Sequence, residues 1–179
     1  MGLVEYWTVS AGLRAADTIA KTAEVRLVRA QIICPGRYVL LFAGEIGAVQ
    51  AVLDAARARH SARLVDSFLL GNPHAAVLAA LEGVKPAVPD GAALGAVEVA
   101  TAAMAIVAAD TAAKAAGVQI LELRIEREVA NKAYVLLTGT VSEVAEAVAC
   151  AERRAQDAGF LLDSAVLANP DTKFWKTLL

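Results

Sequence analysis

The sequence predicts an α+β protein built from two tandem copies of one β-α-β-β-α-β unit, a ferredoxin-like order, each followed by a short helix. Three observations carry that expectation. First, Ala15-Ala16-Asp17-Thr18-Ile19-Ala20-Lys21 returns as Ala108-Ala109-Asp110-Thr111-Ala112-Ala113-Lys114, displaced by 93 residues, and repetition of this kind marks duplication. Second, further blocks return in the same order. Gly2-Leu3-Val4-Glu5 becomes Gly95-Ala96-Val97-Glu98 at the same displacement, and Arg37 to Gly44 becomes Lys132 to Gly139, displaced by 95. Leu64-Val65-Asp66-Ser67 becomes Leu161-Leu162-Asp163-Ser164, and Gly71-Asn72-Pro73 becomes Ala168-Asn169-Pro170, both displaced by 97. Two small insertions are therefore expected in the second copy, one just after the position of Cys34-Pro35 and one near the end of its second long helix. Third, each copy alternates short β-rich runs with stretches at helical spacing. Two units are too few for a solenoid, so we read a first domain at 1–82, a linker at 83–93 rich in proline and glycine, and a second domain at 94–179.

Leu3 to Val9 reads as a strand, and Ser10 as the cap of a helix from about 11 to 23 with Leu13, Ala16, Ile19 and Ala20 facing the core. Asp17 and Lys21 stand one helical turn apart, acid before base. A strand over 25–33 meets Cys34-Pro35-Gly36, a turn signal, and an almost wholly apolar strand over 37–43 follows, so the two strands form a hairpin with Cys34 at its tip. The helix over 46–60 carries Val49, Val52, Leu53 and Ala56 at core spacing. After a strand over 64–70, Asn72 caps a short helix with Pro73 at its first position. The second copy is expected as strand 95–101, helix 103–116, strands 118–126 and 132–138, helix 141–157, strand 160–167 and helix 170–178.

Composition bounds the function. The chain is 58% hydrophobic, much of it alanine, which allows close approach of backbones and points to a large interface between domains or subunits. A net charge of −2 with no basic run argues against a nucleic-acid partner, and Val99 to Ala109, the most apolar stretch, is too short and too alanine-rich to span a membrane. Two cysteines are no disulfide framework, and the N-terminus shows no basic leader, so a soluble protein of a reducing compartment is expected. There is no Ser-His-Asp set, no carboxylate pair beside a histidine and no glycine-rich phosphate loop, so an enzyme is not expected.

With these blocks in order, the chain resembles the tandem-domain shell proteins of bacterial microcompartments. The resemblance spans essentially the whole sequence and rests on Gly2-Leu3-Val4-Glu5, Ala15-Ala16-Asp17 with Lys21, Gly44-Glu45-Ile46-Gly47-Ala48-Val49, Leu64-Val65-Asp66-Ser67 and Asn72-Pro73-His74. It implies two microcompartment domains, a homotrimer with pseudohexameric symmetry, tiling with other shell proteins, a central pore and a cytoplasmic shell location. Ile33-Cys34-Pro35-Gly36 stands at the pore-loop position. In members with that cysteine the resemblance implies one four-iron iron–sulfur cluster per trimer, with one Cys34 ligand from each chain, relaying electrons to encapsulated redox enzymes. It further implies a pore lined by Cys34, Pro35, Gly36, Arg127, Glu128 and Val129, and disc edges carrying Lys21, Lys114, Asn72 and Asn169. The second unit departs from the first at the pore, with Glu126 to Lys132 where the first has Ile33 to Arg37. A small-ligand-binding regulatory trimer of related fold that joins no shell is the alternative.

The remaining candidates read more plainly. Cys150 is expected as a buried small apolar residue. His60 is expected as a charge on a solvated helix end, His74 is not expected to bind metal, and Trp7 and Trp175 are expected to pack.

Overall fold

The two repeats fold into two four-stranded antiparallel sheets of one topology. The computed structural model describes residues 1–88, 91–125 and 132–178. The first repeat runs β1 (Gly2–Tyr6), α1 (Val9–Thr22), β2 (Arg26–Ile33), β3 (Arg37–Ala43), α2 (Ile46–His60), β4 (Leu64–Leu69) and α3 (Ala75–Leu81). The second runs β5 (Ala93–Val99), α4 (Ala102–Ala115), β6 (Gln119–Arg124), β7 (Ala133–Gly139), α5 (Val141–Asp157), β8 (Leu161–Leu167) and α6 (Thr172–Leu178). The strand orders are β2-β3-β1-β4 and β6-β7-β5-β8.

The displacements read from the sequence are reproduced in the strand register. Gly2 faces Phe42 as Gly95 faces Leu137, and Val4 faces Ser67 as Val97 faces Ser164. Even the irregularities repeat: register slips at Glu5/Tyr6 and Glu98/Val99 against the fourth strand, and at Leu27/Arg29 and Ile120/Glu122 in the second. Such bulges are inherited features of a fold rather than accidents. The second insertion lengthens a helix, α5 having 17 residues against 15 in α2.

β3 is buried along its length, as its unbroken apolar run requires. In the first core Val4, Tyr6, Leu40 and Phe42 meet Ile19 of α1 and Val49, Val52, Leu53 and Ala56 of α2. The Tyr6 hydroxyl donates to the Ala56 carbonyl at 3.2 Å, and burial pushes its pKa up to about 12. The α5 N-terminus is closed by a reciprocal box in which Thr140 and Glu143 bond each other's backbone N–H.

Several expectations are corrected. β1 ends at Tyr6, which leaves Trp7 51% exposed against the expectation that it packs. α1 starts at Val9, and its cap is Thr8, whose hydroxyl accepts the Ala11 N–H, because Ser10 already lies in the first turn. Its core face is Ala11, Gly12, Ala15, Thr18 and Ile19, so Ile19 of the expected stripe is buried and Ala16 packs beside it, but Leu13 and Ala20 are exposed. Small residues let the helix approach the sheet closely: a Cβ on Gly12 would lie 2.3 Å from Tyr38 Cδ1. α3 begins at Ala75, two residues past Pro73, and its cap is His74, whose Nδ1 accepts the Ala76 N–H at 3.2 Å.

By packing the chain forms two compact units. The first is built mainly from Met1–Pro73 and takes in Thr101–Ala103, and the second comprises most of the rest, with α3 packed on β6. Among the described residues no helix is long and apolar enough to cross a membrane.

Candidate functional site

The hairpin expected from Cys34-Pro35-Gly36 is present. β2 and β3 pair from Arg26/Ala43 to Ile33/Arg37, and the Gly36 N–H closes the turn onto the Ile33 carbonyl at 2.8 Å. Gly36 has φ of 112°, a left-handed conformation that glycine adopts without steric cost. This turn leaves Cys34 exposed, beside an open recess of about 350 Å³ lined by Ile32, Ile33, Cys34 and Gly36. Pro35 and Gly36 are exposed with it. The other three expected pore residues, Arg127, Glu128 and Val129, lie outside the described residues.

Behind the tip stands a buried charge cluster that the sequence reading did not assign. Arg37, 6% exposed, places Nη1 2.7 Å from Oε1 of Glu5, which is fully buried, and its guanidinium lies 4.3 Å over the Trp7 ring. The second Glu5 oxygen accepts the N–H groups of Ala102 at 2.9 Å and Ala103 at 3.4 Å, the free donors of the first turn of α4. Burial pushes the Glu5 carboxyl above its usual range, and Arg37 and the two amides oppose that shift. Beside it Asp66 Oδ2 accepts the Thr101 hydroxyl at 2.6 Å, while its Oδ1 takes the Ser67 N–H at 2.7 Å. Glu5 thus holds a cation and a helix end at once. The signal available in the sequence was an acid at the centre of an apolar strand, present in both repeats as Glu5 and Glu98.

The expected edge residues fall at separate places. Lys21 is exposed and pairs with Asp17 at 2.7 Å. Lys114 pairs with Asp110 at 2.6 Å, but that carboxylate is 4% exposed and its other oxygen accepts the His74 N–H at 2.7 Å. Asn72 and Asn169 are exposed, each just before the proline that follows its sheet's last strand. Two histidine and cysteine expectations change. His60 is half-buried and its Nε2 bonds the Thr18 hydroxyl at 2.9 Å, while burial and the nearby Arg14 and Arg59 lower its pKa, so it is a hydrogen-bonded helix-end group disfavoured as a cation and not a freely solvated charge. Cys150 is partly exposed, because α5 turns it away from the core face of Val144, Ala147, Val148 and Ala151. Its Sγ lies 3.4 Å from Glu146 Oε1.

With this geometry established, three comparisons are informative. The BMC domain profile matches residues 1–73 and again 93–170. The chain is 34% identical to the bacterial microcompartment shell protein PduT of Citrobacter freundii over 179 residues, all of this chain and 97% of PduT. Among solved structures, a microcompartment protein from Desulfitobacterium hafniense superposes with a TM-score of 0.83 at 37% identity, covering 98% of this chain and 97% of that one. A fused permuted hexameric shell protein from the RMM microcompartment gives 0.64 at 28% identity, covering 87% and 80%.

Proposed function

The chain belongs to the BMC domain family, with one such domain in each half, and on that premise we propose that it is a structural tile of a bacterial microcompartment shell. Three copies would close into a ring of six repeats, a pseudohexamer with a central opening, and rings would meet side by side with those of other shell proteins. The observation that carries this reading is the duplication itself. One chain holds two sheets of the same order, register and bulges, which is what alternation around a closed ring requires. The edges of the ring would carry Lys21, Lys114, Asn72 and Asn169. Electron microscopy of concentrated protein tests the reading: extended sheets are expected, whereas discrete particles under all solution conditions would favour a ligand-binding regulatory trimer instead.

Within that reading Cys34 would be the ligand of an iron–sulfur cluster shared between three copies. The residue fits the role in two respects. Cluster ligands are cysteine sulfurs, and Cys34 is held exposed at a tight hairpin tip beside an open recess. One chain supplies a single such tip, so the three ligands would come from three chains, with Pro35 and Gly36 lining the same opening. When bound, the cluster would supply one-electron transfer across the shell to encapsulated redox enzymes. The chain's own part is to hold the three sulfurs in place, through the β2–β3 ladder and the Arg37–Glu5 pair at the base of β3. Iron and sulfide assays on anaerobically reconstituted protein test this. Cluster should be retained in Cys150→Ala and lost in Cys34→Ala, and equal iron in both would end the proposal.

A further inference from the structure

The repeat allows the two halves to be compared position by position, and one recess sets the second apart. Between the end of α4 and the start of α5, an opening of about 310 Å³ is lined chiefly by Gly117, Gln119, Thr138, Gly139, Thr140 and Glu143. At the same positions the first repeat carries Glu24, Arg26, Ala43, Gly44, Glu45 and Ala48. The strand register fixes this correspondence, since Gln119 faces Thr138 as Arg26 faces Ala43. The second repeat has thus exchanged two acids and an arginine for a glycine, a threonine and an amide. It has gained one carboxylate, Glu143.

That carboxylate is only half committed. Its Oε2 accepts the Thr140 N–H at 3.0 Å and the Thr140 hydroxyl at 2.6 Å, closing the cap of α5. Its Oε1 has no hydrogen-bond partner among the described residues and lies over Gly117, where a Cβ would stand 2.7 Å away. Any side chain at 117 would meet that oxygen, so the glycine keeps it open. Hydrogen bonds from Thr140 hold the Glu143 carboxyl below the usual carboxylate range, so it is charged at neutral pH. Among the described residues no cation pairs with it, and Lys114 in the last turn of α4 is bound to Asp110. Gln119 is exposed on the same recess, its amide without a partner among the described residues. Gly117 follows α4, and the carbonyls that end a helix carry partial negative charge.

We propose that this recess binds a small primary ammonium compound. The ammonium group donates to Glu143 Oε1 and to the Gln119 side-chain oxygen, and the carbon chain lies along Gly117 and Gly139. Charge selects a cation, and the open acceptors select which one. A hard divalent ion collects about six oxygens, commonly from more than one carboxylate, and here a single carboxylate oxygen is open. A guanidinium favours both oxygens of a carboxylate, and Oε2 is already taken by Thr140. An ammonium is a point charge whose donors are satisfied by separate oxygens, which is the arrangement present. The proposal is independent of the shell reading.

Isothermal titration of the full chain with n-propylammonium chloride, at neutral pH and constant ionic strength, tests it. Saturable binding at one site per chain is expected. Glu143→Gln keeps the reciprocal cap, which glutamine also forms, but removes the charge, so binding should weaken about tenfold with thermal unfolding little changed. Gln119→Arg restores the first repeat's residue at an exposed position and sets a guanidinium beside Glu143. Binding should be lost there while circular dichroism matches wild type. Tetramethylammonium, which carries the charge but no N–H, should bind at least about tenfold more weakly than n-propylammonium. No saturable binding to wild type, or either folded variant binding like wild type, would overturn the proposal. Equal binding of tetramethylammonium would reduce the site to bare charge and overturn it as well. Tighter binding of Nα-acetyl-lysine amide than of n-propylammonium would assign the recess to a lysine of another protein and overturn the small-compound assignment.

Discussion

α1 and α4 carry the same heptad and occupy the same place in their repeats, yet their surroundings differ. Every residue of α4 from Ala102 to Ala109 is buried, including Ile106 at 0%. In α1 the counterpart of Ile106 is Leu13, 55% exposed, and Arg14 and Ser10 are exposed beside it. The compositions agree with this. Ala102-Ala-Met-Ala-Ile-Val-Ala-Ala is apolar on all sides, the mark of a helix buried all round, whereas α1 interleaves Ser10 and Arg14. The covered helix shows what burial the shared geometry permits. The open one shows a face kept soluble until something covers it.

The largest effects expected on breaking this comparison lie in the cores. Ile106→Ala should destabilise the chain by about 2–5 kcal/mol, the usual cost of truncating a buried isoleucine, whereas Leu13→Ala should change single-chain stability by no more than about 0.5 kcal/mol and weaken association instead. Urea unfolding and native mass measurement separate the two. Next is a volume exchange between repeats: Gly12 lies under Tyr38 in the first, and the matching residues in the second are Ala105 and Ala133. Gly12→Ala should cost about 1–3 kcal/mol by overpacking against Tyr38, and Ala105→Gly about 1 kcal/mol through helix propensity. Gly12→Ala combined with Tyr38→Ala should recover part of the loss, and failure to do so would refute the close-approach explanation of Gly12.

The paired lysines should part company as well. Lys114→Glu removes a partner from a carboxylate that is 4% exposed and should cost on the order of 2 kcal/mol, while Lys21→Glu acts on an exposed pair and should cost about 0.5 kcal/mol. Thermal unfolding measures this difference, and sheet microscopy of Lys21→Glu isolates the edge role from the fold.

The smallest effect is a pH response confined to the first repeat. Burial, with Arg14 and Arg59 nearby, lowers the folded-state pKa of His60 below the ordinary histidine value, so the folded chain favours neutral imidazole. Protonation therefore favours the unfolded chain, and stability should fall as pH drops below about 6.5. The second repeat has Asp157 at the matching position, so His60→Gln should flatten that part of the stability–pH curve. An unchanged slope would assign it to other groups.

Much of the fold was legible because the repeat constrains it twice: displacements found in the sequence reappear as strand register, and the hairpin tip at Cys34 follows from Pro35 and Gly36. What was not legible depends on non-local partners. Leu13 fits a core stripe by spacing, but the sheet selects Gly12 and Ala15 because only small residues bring the helix close enough to Tyr38. His74 displaces Asn72 as cap because its backbone N–H is drawn to Asp110, 36 residues away. The Glu5 cluster needed Arg37 and the Ala102 amide, 32 and 97 residues distant, so the recurring strand acid announced a role without revealing it.

The most direct measurement is hydrogen exchange at the first turns of α1 and α4 in assembled wild type and in Leu13→Ala. If a second copy covers α1 as α4 is already covered, the Val9 and Ser10 amides should exchange about as slowly as those of Ala102 and Ala103 in the wild type and markedly faster in the variant, with α4 unchanged. Fast exchange at Val9 and Ser10 in fully assembled wild type would contradict it.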